Sequence, residues 1–224
     1  MTTGQLSQPR RRARQTKQKL ERRQVILDAA WRAFQSSSYS ELKVAEIARE
    51  AGLAKGTVFL YFRTKEEIFL EVTGQQLTEW FDVFDDRLAQ LPAPAATKDV
   101  VEAIADSLQE RDDYTRLMAI LSTVLEQNAD YDAVLRFKQL LLTRLAHTGA
   151  LMERALDFLR PGDSAHLLLQ LEALVIGLRH LADAAPVVRQ LMTLDDMRAF
   201  DVDFDRELRQ LTLVMLNGMK GSER

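Results

Sequence analysis

An all-α fold is predicted, with a small three-helix head at the N-terminus and a larger helical bundle behind it. Three observations lead there. Apolar residues recur at helical spacing through nearly the whole chain of 224 residues, and no β alternation of useful length or internal repeat interrupts them. Two short amphipathic helices lie between Leu42 and Leu70, separated by the tight turn Ala51-Gly52-Leu53. Charge is also divided along the chain. Residues 1–65 hold 14 Lys+Arg and 5 Asp+Glu, a net +9, while the remainder holds 16 and 28, a net −12. A basic head on an acidic body is the charge footprint of nucleic-acid binding, and the acidic body repels DNA from the wrong surface over about a Debye length.

Residues 1–16 are polar and basic (Arg10, Arg11, Arg12, Arg14) without periodicity, and read as a flexible arm. The arm would either reach a minor groove or serve as a solubilising tail. The first helix is expected from about Lys17 to Gln35, with Leu27, Ala30, Trp31 and Phe34 on one face and Ser36-Ser37-Ser38 ending it. Val44, Ile47, Ala48 and Ala51 then make one apolar stripe, and Val58 and Phe62 make another after the turn. Helices this short cannot stand alone, because isolated helices under roughly 12 residues are marginal. They must pack at a fixed angle on something else, which leaves their outer faces for a partner. That is the logic of a helix-turn-helix, whose second helix enters the DNA major groove.

Gly52 permits the turn, since a missing Cβ allows a left-handed backbone. Thr64 and Glu67 match a capping box that opens a long helix reaching about Leu91, where Pro92-Ala93-Pro94 stops it. Leu77, Trp80, Phe81, Phe84, Leu88 and Leu91 form its buried stripe. Further helices are expected at about 97–110, 113–128, 131–159 and 164–183, then a short or irregular stretch from Pro186, and a last helix at about 204–219. The domain division is 1–16 arm, 17–65 head and 66–224 body.

The head resembles the TetR family of bacterial transcriptional regulators. The residues that carry the resemblance are Ile26-Leu27-Asp28-Ala29-Ala30 with Phe34, Ile47-Ala48, and the run from Ala51-Gly52-Leu53 through Lys55-Gly56-Thr57-Val58-Phe59-Leu60-Tyr61-Phe62 to Thr64-Lys65-Glu66. They cover about residues 20–72. Ser38, Lys43, Phe59 and Leu60 depart from the commoner residues, and Phe59 in place of a tyrosine loses one hydroxyl for a phosphate. The resemblance implies a ligand-responsive homodimer that binds a near-palindromic double-stranded DNA operator, most simply as a repressor. An activator, a regulator controlled by another protein, or a helical adaptor for an acidic partner are the alternatives.

The expected DNA-binding residues are Lys43, Val44, Ala45, Lys55, Gly56, Thr57, Phe59, Leu60, Tyr61 and Lys65. Lys55, Gly56 and Thr57 open the second short helix, whose free N–H groups favour phosphate. Phe59 and Leu60 lie off the buried stripe and would meet a thymine methyl, unless they pack within the head. Tyr61 offers a phenol to phosphate, and Lys65 is an odd charge for the first turn of a helix unless it too binds phosphate.

In the body, Trp80, Phe84, Leu117, Leu121, Leu125, Phe137, Leu141 and His147 are candidates to line an effector pocket, and each also suits an ordinary core. Leu167, Leu171, Leu174, Leu178, Leu208, Leu211 and Met215 form heptad-like faces on the last two long helices. Additional apolar residues off these seams suggest one face for the core and one for a second copy, against a thick single-chain core. The implied mechanism is an effector that shifts the long helix from Thr64 and moves the two recognition helices off a half-site spacing of roughly 34 Å.

Other classes find little support. His147, His166 and His180 fit no HxxxH or HExxH pattern, and no nucleophile elbow or phosphate loop occurs, so neither an enzyme, a metal nor a cofactor is expected. Zero cysteines exclude disulfides and thiolate chemistry. Without a signal peptide or an uninterrupted apolar run of about 18 residues, a cytoplasmic protein with no membrane partner is expected.

Overall fold

The computed structural model describes residues 7–221, with side chains from Arg14 onward. The described residues form helices without a strand: α1 (Ser7–Gln35), α2 (Val44–Glu50), α3 (Lys55–Phe59), α4 (Lys65–Gln90), α5 (Thr97–Leu108), α6 (Asp112–Ile120), α7 (Glu126–Asn128), α8 (Tyr131–Ala155), α9 (Asp163–Ala182), α10 (Pro186–Leu191) and α11 (Phe204–Gly221). A π turn (Leu121–Leu125) joins α6 to α7, and a 3-10 turn (Asp195–Phe200) follows α10.

The first helix starts at Ser7, well before the expected Lys17, so residues 7–16 are helical where an unstructured arm was expected. Arg, Gln, Lys and Ala there are good helix formers, and Pro9 falls in the first turn, where a missing N–H costs nothing. Residues 1–6 of the expected arm lie outside the described residues.

Ile26, Leu27, Ala29, Ala30 and Phe34 of α1 are buried, and against them sit Ile47 and Ala48 of α2, Val58 of α3, and Phe62. The turn before α3 depends on Gly52, whose φ of +65° is one that L side chains rarely adopt. Thr64 caps α4 by accepting from the Glu67 N–H at 3.1 Å. The reciprocal bond goes one residue further out than in a standard box, because the Glu67 carboxylate accepts from the Arg63 N–H at 2.8 Å.

α4 runs from the head through the centre of the body and packs on α1, α5, α6 and α8. Gly74 allows its closest approach to α8: a Cβ there would stand 3.2 Å from Leu140 Cδ2. A single helix was expected over 113–128, and the structure divides it with the π turn. Leu117, Leu121 and Leu125 repeat every four residues, and a straight α-helix would rotate them progressively off one face. The wider turn keeps Leu121 and Leu125 buried beside Leu117. α8 ends at Ala155 rather than near 159, and Leu156, Phe158 and Leu159 fill the core from the loop.

One polar contact inside the body is sensitive to pH. Asp85 on α4, buried against α8, accepts from the Thr148 hydroxyl at 2.6 Å. Burial raises its carboxyl pKa, opposed by the Thr148 hydrogen bond and by the His147 and Arg144 charges. The folded chain therefore keeps this proton to higher pH than the unfolded chain, so this group's contribution falls as pH rises from the ordinary carboxylate value to the raised one. Asp85→Asn keeps an acceptor for Thr148 and removes the titration. Urea melts at about pH 4 and about pH 7.5 should show the variant gaining stability relative to the parent chain over that interval, and an unchanged difference would remove Asp85 as the titrating group.

Candidate DNA interface and ligand cavity

α2 and α3 pack their apolar stripes inward and leave a continuous outer surface. Lys43, Ala45, Lys55 and Gly56 are exposed, Val44, Thr57 and Tyr61 are half-buried, and Phe59 and Leu60 are 43% and 79% exposed. Leu60, a large apolar side chain with four-fifths of its surface in solvent, has no packing role within the chain. Lys43 precedes α2 and cannot cap it as an acceptor; instead Glu46 accepts from the Lys43 N–H at 2.8 Å.

Lys65 is engaged within the head. Its ammonium donates to the carbonyls of Tyr39 at 2.8 Å and Leu42 at 3.0 Å, and it lies 3.9 Å from the centre of the Tyr39 ring. Partial burial lowers its pKa, against the neighbouring Glu66. It thus ties the connection between α1 and α2 to the first turn of α4, and only one N–H is left for a phosphate. Tyr39 completes the tie, its hydroxyl donating to Glu66 at 2.8 Å and its ring meeting Phe69 edge-on at 5.2 Å.

Several residues of this surface went unnoticed in the sequence. Lys19 and Arg22 of α1 stand with Leu60 and Tyr61 along an open groove of about 720 Å³, which places two cations beside the end of α3. Arg23 braces the same corner: it donates to the Tyr61 carbonyl at 2.8 Å, pairs with Glu71 and covers the Phe62 ring at 4.2 Å. Nothing local marks Arg23 among its basic neighbours, since its partners lie far along the chain.

Two side chains link head and body besides α4. Arg116 of α6 donates to the Ser37 carbonyl at 3.2 Å and lies 4.8 Å from the Phe34 ring centre. Arg63 pairs with Asp130 at 3.2 Å, the residue that caps α8. An open polar cleft of about 1110 Å³ runs between the two parts on the Arg63 side. It is larger than the enclosed space inside the body but has the character of a surface valley, with charged residues such as Arg23, Glu71 and Arg136 along it.

The enclosed space is a cavity of about 30 Å³ among α4, α5, α6, α8 and α9. Of the expected pocket residues, Trp80, Phe84, Leu121 and Leu141 line it. Leu117 and Leu125 are fully buried in the core beside it, and Phe137 faces the open cleft. His147 does not reach the cavity: its side chain is 63% exposed and points outward, 3.6 Å from Asp85. Tyr114 and Glu172 line the cavity and were not anticipated. Tyr114 could have been found, since it extends the stripe of Leu117, Leu121 and Leu125 by one turn.

The last two long helices also depart from expectation. Leu167, Leu171, Leu178 and Leu208 are buried within this chain, so they belong to its core and are not available to a partner. Leu174 and Met215 are half-buried, and only Leu211 of the expected set is exposed. The open apolar face is carried instead by Leu169 (44% exposed), Leu181 (59%) and Val214 (62%), with Ala173 and Gly177 between them on α9. With both faces apolar, the heptad pattern gave no means of choosing the inward one. α9 is long and apolar enough by composition to cross a membrane, although no uninterrupted apolar run marks it, and about a third of it is buried in the body. The α10 segment buries nothing, and Val187, Leu191, Leu194 and Phe200 are exposed.

A paired α2–α3 unit braced by α1, set on a helical body through one long helix, defines a helix-turn-helix regulator. Residues 26–72 match the family model for bacterial regulatory proteins of the tetR family, and residues 74–223 match the tetracyclin repressor-like C-terminal domain. The chain belongs to the TetR family. It is 25% identical over 234 aligned positions to the HTH-type transcriptional regulator RutR of Escherichia coli strain K12, covering 98% of this chain and 99% of that one. The chain is also 30% identical over 74 residues to the fatty acid metabolism regulator protein of Bacillus subtilis, a match spanning 33% of this chain and 38% of that protein. A transcriptional regulator from a Rhodococcus species shares the fold with a TM-score of 0.60 at 17% identity, over 88% of this chain and 95% of that one.

Proposed function

We propose that this chain is a sequence-specific DNA-binding repressor, released from a palindromic operator by a small, largely apolar effector, and that it works as a homodimer in the bacterial cytoplasm. The outward face of α3 carries this reading. Phe59 and Leu60 stand exposed where Val58 and Phe62 are buried, within an N-terminal part, residues 1–65, of net charge +9. Exposed apolar side chains amid cations suit a major groove, where thymine methyls are read and phosphates flank them. Residues 17–65 act as the reading head and 66–224 as the responsive body, with any contact from residues 7–16 added by the start of α1.

α4 supplies the connection. The helix that holds Lys65 against the head also places Trp80 and Phe84 on the cavity. At about 30 Å³ the cavity holds roughly two waters, far below the roughly 300 Å³ of a ligand site, so an effector must push helices apart to enter. An effector that binds the opened body better than the closed one shifts the heads by that difference in affinity. Arg116 gives α6 a second handle on the head.

The test is binding of the full chain to a palindromic duplex from the DNA adjoining its gene. Binding should survive excess unrelated DNA and fall steeply with salt. Equal affinity for every duplex would leave only a non-specific basic surface and defeat the reading.

The dimer surface has its own test. Val214→Asp places a charge on the exposed face of α11 without disturbing the core, so the chain should sediment as a folded monomer. DNA affinity should drop at least tenfold, because two tethered heads gain effective concentration that separate ones lack. A Val214→Asp chain that still sediments as a dimer would place the interface elsewhere.

A further inference from the structure

The body cavity is apolar except for two groups that the fold leaves without partners. Tyr114 is buried to 1% exposure, and its hydroxyl has no hydrogen-bond partner. Glu172 on α9 is partly buried at the cavity wall and makes no hydrogen bond or ion pair with a described residue. The other polar groups of the wall are accounted for. Trp80 donates to Ser107 at 2.8 Å, and Thr73 donates to the Phe69 carbonyl at 2.7 Å. A buried hydroxyl without a partner costs stability, and Tyr114 with the unengaged Glu172 carboxylate on the same wall marks the place where an occupant supplies the missing partner.

The sign of that partner follows from the wall. No lysine, arginine or histidine lines the cavity, and Glu172 is its only acid. The cation that acts on Glu172 is Lys138, and it is already engaged with Glu126 at 2.6 Å. Burial raises the Glu172 carboxyl pKa, and burial together with the Glu172 charge keeps the Tyr114 phenol protonated. The rings around the space add the same preference. Trp80 is stacked on Phe84 at 5.7 Å and lies 4.5 Å from Phe81 and 6.1 Å from Tyr114. Ring faces carry negative charge density and attract organic cations, most strongly where water is excluded. The rest of the wall is aliphatic, and Met118 supplies a side chain that repacks readily.

We propose that the cavity is a site for an organic ammonium ion carrying an apolar tail, with the ammonium held by the Glu172 carboxylate and the Tyr114 hydroxyl and the tail among the aromatic and leucine side chains. This rests on the reading of the cavity as the effector site and names the chemical class that it accepts. A tail ending in a carboxylate meets Glu172 with no cation in the cavity wall, Lys138 being engaged with Glu126 and Arg111 acting on Tyr114 from outside the lining, so an anionic amphiphile of the same length is disfavoured by charge. A neutral alcohol keeps the tail contacts and one hydrogen bond but gains no ion pair.

The experiment compares three probes of one chain length, decylammonium, decanol and decanoate, each below its micelle-forming concentration. The full chain is titrated with each by calorimetry, and release from the operator duplex is followed in parallel. Decylammonium should bind at least about tenfold more tightly than decanoate, and it should release the DNA. Glu172→Gln should weaken decylammonium about tenfold and leave decanol within about threefold. Tyr114→Phe removes only an unpartnered hydroxyl, so it should melt no lower than the parent chain while weakening decylammonium about threefold. If Glu172→Gln does not fold, the order of the three probes on the parent chain and the Tyr114→Phe result decide the matter. Tighter binding of decanoate than decylammonium, or a Glu172→Gln chain that binds decylammonium unchanged, would overturn the ammonium assignment while leaving the cavity as the effector site. If none of the three binds although the chain still holds its operator, the effector reading of the cavity fails, and the assignment with it.

Discussion

A Lys55→Glu chain should bind its operator about a hundredfold more weakly than the parent at about 0.1 M salt, and should melt at the same temperature. Lys55 is the first residue of α3, exposed, and its nearest ring contact is with the neighbouring Phe59 at 5.8 Å. Nothing in the fold depends on it. The substitution changes the charge by two at each head, and a dimer presents two heads to one duplex. If each Lys55 neutralises one phosphate, the slope of log affinity against log salt should flatten by about two, since each such contact contributes about 0.9. Fluorescence anisotropy over a salt series measures both quantities. An unchanged slope would mean that α3 approaches DNA by another edge.

Lys65→Met should act differently, lowering stability by about 2–3 kcal/mol in urea melts and taking DNA affinity down with it. Its ammonium serves two backbone carbonyls of the connection between α1 and α2 and faces the Tyr39 ring. Methionine keeps the stem and removes the charge, leaving the Tyr39 and Leu42 carbonyls short of a donor. The angle of α2 and α3 to α4 then loses a fixing point, so the loss of binding is indirect. Loss of DNA affinity without loss of stability would instead give the remaining N–H to a phosphate and make that contact the dominant role. The two substitutions thus separate the loss of a proposed DNA contact from the loss of the aim of α2 and α3.

Much of the architecture was legible because it rests on local chemistry. Thr64 and Glu67 mark the start of α4, Pro92 and Pro94 its end, and Gly52 the turn, each through the conformations that one residue allows. The outward face of α3 was legible for a related reason: once Val58 and Phe62 are inside, Phe59 and Leu60 are left outside. What escaped depends on distant partners or on a choice between equal faces. Lys65 finds Tyr39 and Leu42, and Arg116 finds Ser37, across tens of residues that no spacing rule connects. On α9 both faces are apolar, so periodicity could not tell that Leu167, Leu171 and Leu178 turn inward while Leu169 and Leu181 remain outside. His147 was misplaced because a helix as long as α8 has an outer face in its middle as well as at its ends. Glu172 was hidden by its type, since a lone glutamate on a helix is ordinarily a solvated one.

Operator control by this chain, as proposed, requires two identical heads on one duplex. Hydroxyl-radical footprinting of the full chain on the duplex adjoining its gene tests this most directly. The expected pattern is two equivalent protected half-sites related by a two-fold axis, their centres about 34–36 Å or a multiple of that apart, with two chains bound per duplex. Uniform protection along the duplex, or a single protected site with one chain bound, would contradict it.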